Sequence, residues 1–446
     1  MIRTRALLLS ILLLAFPAWC DRNSEWLEDL DFLYAEIKKN HISPFVHISE
    51  KDFVNRLSLI KENVQGTTDF QITLELMRLV RQFGDGHTAV HFYQYPNLKK
   101  LPIDIYNVSG AWKVLGIANE HKALLGAEIT HIGQHEIKAV QSKLSQLTQF
   151  VENINSFHQR SAQYAIYSEL LYELGITDSP DNASLTFLQD NKPVVVTLKS
   201  GTTVNDLVRL DTNKPNLRKV QDAGIEDVWF AAIEKQNAVY VKFGRYPSFE
   251  KMDQFGQSLL SYIKDNQVKN LIIDLRGNWG GDFYVGVWLA YYLNLADSLD
   301  WNNGVYTLID KDTFSAATIN AAQFKQLLNA KIVGEPTGSN PHGVQDMGTF
   351  KLPHSGLTVS YSKRMFRLQK EPNTALLPDF EVKYSWESYV AGEDNILMWV
   401  LSHLKSQEST SAAKIELPRR GDEIAVVERH KTNAFRSVTL PKLEPY

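Results

Sequence analysis

Three short segments of the 446-residue chain carry side chains that could act on a carbonyl. Thr313-Phe-Ser-Ala-Ala317 follows the strand pattern Val305 to Ile309 and opens a helix pattern, so Ser315 is expected at or near a helix N-terminus. The helix dipole favours negative charge there, and Ala316 and Ala317 leave room beside the hydroxyl. A serine in that place is most often a helix cap, so the segment alone does not separate capping from catalysis. Gly84-Asp-Gly-His-Thr88 lies between a helix end and the strand pattern Ala89 to Tyr93, and its glycines permit an irregular loop that presents His87. A loop histidine is commonly just a solvated polar group. With an ordinary pKa of about 6.5, however, imidazole is the side chain suited to take a proton from serine near neutral pH. Asp274-Leu-Arg-Gly-Asn-Trp-Gly-Gly281 ends a strand pattern and leads into a helix, so its glycine amides could hold a developing oxyanion. It lacks both phosphate-loop signatures, which leaves a tight turn as the alternative. Asp274 and Arg276 read as a structural ion pair.

These segments need elements to position them. Residues 22 to about 83 read as helices: Trp26, Leu30, Leu33 and Ile37 form one apolar stripe, and Phe53, Leu57, Ile60 and Val64 another. Ser49 with Asp52, and Thr68 with Gln71, give capping-type starts for the second and third helices. Short strands are expected at Leu101 to Tyr106, Trp112 to Ile117, Ala127 to Ile132 and Val194 to Leu198, with a long helical stretch, Phe150 to Leu174, among them. From about Asp227 strands alternate with helices: strand Ala238 to Phe243, helix Phe249 to Asn266, strand Asn270 to Leu275, helix Phe283 to Leu293, strand Val305 to Ile309, helix Ser315 to Leu328, strand Lys331 to Gly334. Such alternation implies a largely parallel sheet covered by helices, with ligand sites at the carboxyl ends of its strands. The fold class is therefore α/β, mixed α+β over the whole chain. Ser406 to Ala413 is a polar, linker-like tract, and the tail to Tyr446 has little periodicity.

At 44% hydrophobic and 22% charged residues the composition is that of a globular protein, and the net charge of -4 offers no footprint for nucleic acid. Arg3 and Arg5 precede the apolar run Ala6 to Ala15, which is too short to span a bilayer but suits a secretory signal. Cleavage after Cys20, the single cysteine, would leave a mature chain without a thiol; lipid attachment at Cys20 is the alternative, disfavoured by the bulky Trp19 before it. An exported protein, periplasmic or secreted, without stable membrane insertion after signal removal, is expected. With no His-Glu-x-x-His, no cysteine pair and scattered remaining histidines, no metal and no cofactor are expected.

Taken together and in order, the helical module, a PDZ-like region around Leu125 to Ile137, Asp274 to Gly281, Thr313 to Ala317, Val333-Gly-Glu-Pro-Thr-Gly338 and Leu377-Pro-Asp379 resemble the tail-specific, or C-terminal processing, serine peptidases. The resemblance implies a signal peptide over 1–20, an N-terminal helical module over 22–97, a PDZ-like β domain with a helical insertion over 98–205 and a crotonase-like serine peptidase domain over 206–405. Residues 406–446 would form a linker and C-terminal extension. One branch of that family uses a Ser-Lys dyad, but Asn340 stands where its lysine would be. The other, similar to tricorn protease, uses Ser, His and Glu, and Gly84 to Thr88 matches its histidine segment. The resemblance thus implies Ser315 as nucleophile, His87 as base, backbone amides of Ala316 and of Gly280 or Gly281 as oxyanion hole, and a peptide or polypeptide substrate. It also implies an acidic residue shortly before Pro378-Asp379, for which Glu371 is the candidate and Asp379, Glu381 and Asp85 are competitors. A non-catalytic binding protein for apolar ligands or peptides on the same architecture, and an esterase, are the alternative readings.

Overall fold

In a computed structural model, residues 21–412 are described apart from 203–205, 211–216, 218, 223 and 225, so the signal-peptide and Cys20 expectations lie outside the described residues. The N-terminal helices are α1 (Arg22–Asn40), α2 (Glu50–Asn63) and α3 (Asp69–Val80). Their expected starts are present: the Ser49 side chain accepts from the Asp52 amide, and Thr68 and Gln71 form a reciprocal capping box. The α1 stripe Trp26, Leu30, Leu33 and Ile37 is buried throughout.

The chain then passes through β1 (Ala89–Val90) and enters a second layer made of β2 (Ile103–Val108), β3 (Ala111–Ala118), β4 (Glu128–Ile132), β5 (His135–Glu136), α4 (Ile137–Leu144), α5 (Ile154–Tyr164), α6 (Ser168–Glu173), β6 (Asn182–Gln189), β7 (Lys192–Lys199) and β8 (Leu207–Arg209). Strands run in the order β2-β3-β4-β6-β7, with β5 on β4 and β8 on β3. Instead of one long helix at Phe150 to Leu174 there are two, because the chain at 165–167 pairs with the segment before β2: the Leu101 amide donates to the Ile166 carbonyl at 2.7 Å. This layer and the N-terminal helices share one apolar core, in which Leu30, Phe53 and Leu76 pack with Trp112, Ile129 and Phe187.

The second core belongs to a seven-stranded sheet, β17-β14-β13-β12-β11-β10-β9. Its elements are β9 (Lys219–Asp222), β10 (Val228–Ile233), β11 (Ala238–Phe243), α7 (Phe249–Asp265), β12 (Asn270–Asp274), α8 (Phe283–Leu293), β13 (Val305–Ile309), α9 (Ala316–Leu327) and β14 (Lys331–Gly334), and, further on, β17 (Phe380–Glu381). Strands β11 to β14 and β17 are parallel, and β12 and β13 are buried at every position, as expected for strands covered on both faces. Between β14 and β17 lies a hairpin, β15 (His342–Lys351) and β16 (Thr358–Arg367), that the sequence reading missed. Its second strand pairs with β1, Ala89 opposite Ser360 and Val90 opposite Val359, and so carries the loop of His87 onto the parallel-sheet region. After α10 (Trp386–Ala391), α11 (Asn395–Ala412) is helical through the tract read as a linker. The described residues fall into two units, 21–398 and 399–412, the second of them helical.

Candidate active site

Ser315 stands on the turn that leads from β13 into α9, with φ 52° and ψ -127°. A non-glycine residue in that region costs of order 1–3 kcal/mol, and such strain concentrates where a side chain must be aimed. It is held there by its surroundings: the Ser315 amide donates to Ser339 Oγ (2.8 Å), the Phe314 amide to the Asn278 carbonyl (2.9 Å), and Thr313 Oγ1 to the Leu275 carbonyl (3.1 Å). Asp310 ties the start of the turn, its Oδ1 accepting from the amides of Gly277, Asp312 and Thr313. The Ser315 side chain makes no capping bond to α9. Its Oγ lies 2.8 Å from His87 Nε2.

His87 comes from the turn after α3. Asp85 organises it by accepting at Oδ1 from the amides of His87 (2.9 Å) and Thr88 (2.8 Å) and from Ser362 Oγ (2.7 Å) on β16. At Oδ2 it faces His41 Nε2 (3.1 Å), whose Nδ1 accepts from the Ser43 amide, so the proton of His41 sits on Nε2 and is donated to Asp85. Burial alone would raise the Asp85 carboxyl; the hydrogen bond from His41 and the favourable electrostatics of its surroundings, with the Ser362 hydroxyl, outweigh it and hold the group below its ordinary value. The imidazole of His87 stacks on Phe314, with ring centroids 5.4 Å apart.

His87 Nδ1 meets Glu152 Oε1 at 2.9 Å, and the two side chains are only 3% and 4% exposed. Glu152 Oε2 accepts from the Asn340 amide at 2.7 Å. The segment bearing Glu152 is fixed from both sides. Before it, Gln149 accepts from the Val90 amide and donates to the Met77 carbonyl; after it, Asn153 caps α5 by accepting from the amides of Asn155 and Ser156. Gly86 is needed between histidine and acid, since a Cβ there would stand 2.6 Å from Glu152 Cγ and 2.8 Å from Phe314 Cζ.

Of the expected site residues, Ser315 and His87 are brought together, and Glu371 is not. Glu371 lies exposed on the loop after β16, where its carbonyl accepts from Gln369 Nε2 and Thr374 Oγ1. Asp379 accepts from the Ile332 amide and pairs with Lys325, Glu381 lies beside Lys383, and Asp85 supports the histidine loop from its backbone side. The carboxylate at His87 Nδ1 is Glu152, which sequence reasoning missed. Asn340, where a dyad lysine would stand, carries the amide that holds Glu152.

The glycine loop is also sorted by the geometry. The Gly280 amide donates to Asn278 Oδ1 (2.9 Å) and is thereby taken, a correction to its expected place among the oxyanion donors. Gly280, at φ 97°, serves through close approach: a Cβ on it would stand 2.6 Å from Ser315 Cβ. The amides of Gly281 and of Ala316, the first residue of α9, have no acceptor among the described residues. Beside the serine, the guanidinium of Arg160 lies 3.4 Å from the ring centroid of Trp279 and 5.1 Å from that of Phe314, and burial lowers its pKa to about 10.

The model of peptidase family S41 matches residues 241–295 and 290–382, the stretch that runs from β11 to β17 and contains Ser315 and the glycine loop. No curated protein matches the chain in sequence. Among solved structures, mature CPAF is similar with a TM-score of 0.62 at 12% identity, covering 86% of this chain and 97% of that one. Mature CPAF complexed with lactacystin gives 0.61 at 12% identity, with 86% and 98% covered. The photosystem II D1 C-terminal processing protease gives 0.40 at 15% identity, with 83% and 98% covered. At these identities the likeness to the two CPAF structures speaks for the fold alone. The family match lies over the strands and loops that build the site, so residues 241–382 are similar to peptidase family S41, and this supports a serine peptidase.

Proposed function

We propose that this chain is an exported peptidase of the tricorn-like kind, which cleaves peptide bonds through an acyl-enzyme formed on Ser315, with His87 and Glu152 completing the triad. The observation that carries the reading is the continuous chain Ser315 Oγ–His87 Nε2–Glu152, at 2.8 and 2.9 Å, drawn from three segments remote in sequence. Opposite the Glu152 carboxylate, Nδ1 carries the imidazole proton, which leaves Nε2 free to accept from the serine hydroxyl. In the acylation step Ser315 Oγ forms a bond to the substrate carbonyl carbon as His87 takes its proton. His87 then returns that proton to the amine as the C–N bond breaks. Water, deprotonated by the same imidazole, releases the acid product and regenerates Ser315. Glu152 stabilises the imidazolium in both halves. The Ala316 and Gly281 amides are the oxyanion donors, with the positive end of α9 behind them, a contribution of roughly 100- to 1000-fold per donor. Export rests on the charged start and apolar run at residues 3–15.

The test is labelling of the purified mature protein with a fluorophosphonate. Wild type is expected to label, and Ser315→Ala and His87→Ala to lose the label while remaining folded. Labelling that persists in Ser315→Ala would overturn the assignment.

A further inference from the structure

Across the 310–314 loop from the serine, at the carboxyl ends of β11 to β13, lies a cavity of about 360 Å3 that the chemistry above does not use. Open parallel sheets collect ligands at this edge. Its charge is unbalanced: Asp227, Asp274, Asp310, Asp312, Glu393 and Asp394 line it against two cations, Lys242 and Arg276. Both cations are already engaged. Arg276 pairs with Asp274 (2.8 Å) and Asp394 (2.6 Å), while Lys242 donates to the Arg276 carbonyl and lies 3.5 Å from Asp274.

Asp312 adds an unmet hydrogen-bonding demand to this charge surplus. It is 6% exposed, lines the cavity, and its Oδ1 has no hydrogen-bond partner among the described residues. Burial first, and the charge of Asp310 second, raise its pKa to about 6. A buried carboxylate oxygen left without a donor costs free energy that a cationic ligand would recover. The walls suit such a ligand, being formed by Tyr106, Trp229, Tyr240, Tyr384 and Tyr389. Three of these rings already face cations of the chain itself, Lys219 Nζ lying 5.2 Å from the Trp229 centroid. Lys311 Nζ lies 4.5 Å from the Tyr106 centroid and 5.7 Å from that of Tyr384, with its charge directed to Glu335 at 3.5 Å. The described carboxylates are not grouped in threes that could share a metal ion, so the surplus favours an extended organic cation that spreads its charge over rings and carboxylates.

We propose that this cavity is a binding site for an organic cation, a guanidinium or primary ammonium as carried by a basic side chain or a free amine, seated on the unpartnered oxygen of Asp312 between tyrosine walls. The loop Asp310–Phe314 forms one border of the site and delivers Ser315, so an occupant lies one loop away from the nucleophile.

The experiment is calorimetric titration of the full mature chain with butylguanidinium, with the nearly isosteric neutral butylurea as control. Saturable binding of the cation at pH 7.5, at least tenfold tighter than butylurea, is expected. Asp312→Asn should weaken it at least tenfold, and Glu393→Gln, an exposed change at the rim, about threefold. N-acetyl-arginine amide binding more tightly than butylguanidinium assigns the site to a basic side chain of a polypeptide, and the reverse order to a free amine. Equal binding of butylurea, no saturable binding of any cation, or unchanged affinity in a folded Asp312→Asn protein would refute the site. Because binding is read without turnover, the result is independent of the assignment of the triad.

Discussion

The two loops that meet at Ser315 and His87 each carry buried aspartates just ahead of the reactive residue, and the two loops use them differently. In the histidine loop Asp85 is saturated: two amides, Ser362 and His41 all donate to it. In the serine loop that duty falls to Asp310, which gathers three amides, while Asp312 is buried with a free oxygen. A saturated carboxylate is charged and rigidifying. An unsaturated one two residues further on is a cost to folding, and its retention points to a role outside the fold. The same residue type, at similar burial, is thus a brace in one place and an open valence in the other.

The largest effect expected from this contrast follows removal of the brace. Asp85→Ala strands several buried donors and should cost about 3–5 kcal/mol, read by urea unfolding at pH 7. The folded pKa of Asp85 is depressed, so its contribution is present above the unfolded value and lost as pH falls through the folded one. The gap between wild type and variant should therefore close on acidification below about pH 4. A loss under about 1 kcal/mol at pH 7 would contradict the role given to Asp85.

Asp312→Asn should act in the opposite sense. Facing Asp310, Arg160, Lys311 and Tyr106, the Asp312 carboxyl has a folded pKa raised to about 6, so its favourable contribution is complete below the unfolded value and lost as pH rises through 6. A tenfold change in proton affinity between folded and unfolded chains is worth about 1.4 kcal/mol, so the variant should be more stable than wild type by roughly 2–3 kcal/mol at pH 7.5 and equal to it near pH 4. Unfolding curves at the two pH values check this, and destabilisation at pH 7.5 would show that Asp312 is a brace like Asp85.

A smaller effect tests whether the neighbourhood of Ser315 depends on charge stacking. Trp279, 48% exposed, covers the buried guanidinium of Arg160. Trp279→Ala should cost about 1–2 kcal/mol in thermal unfolding, and Trp279→Phe, which keeps a ring face, about half of that. Equal losses in the two variants would remove the cation–π contact from the account.

How far the sequence revealed this site depends on the range of the contacts involved. The serine turn and glycine loop are local strand–loop–helix patterns, and strand Val305 to Ile309 and helix Phe283 to Leu293 lie where apolar periodicity placed them. Asp85 and His87 stand out through their flanking glycines, one of which leaves the space that Glu152 fills. Glu152 itself has no local pattern. The Asn153 helix start next to it was legible in principle, but what makes it the partner of His87 is the long-range set of bonds from Gln149 and Asn340. The β15–β16 hairpin was hidden because the exposed charges Lys363 and Arg364 and the half-buried Asp346 interrupt its alternation, although pairing β1 with β16 is what brings the histidine loop to the serine. Continuation of α11 through 406–412 likewise overrode a polar composition that reads as linker.

Glu152, and not Glu371, is proposed to complete the triad. The direct measurement is the rate of fluorophosphonate labelling in wild type, Glu152→Gln and Glu371→Gln. An amide at position 152 cannot stabilise the imidazolium and permits the wrong tautomer, so labelling should slow by about 1000- to 10,000-fold, while Glu371→Gln stays within about twofold of wild type. Slow labelling in Glu371→Gln with an unchanged rate in Glu152→Gln would contradict the account.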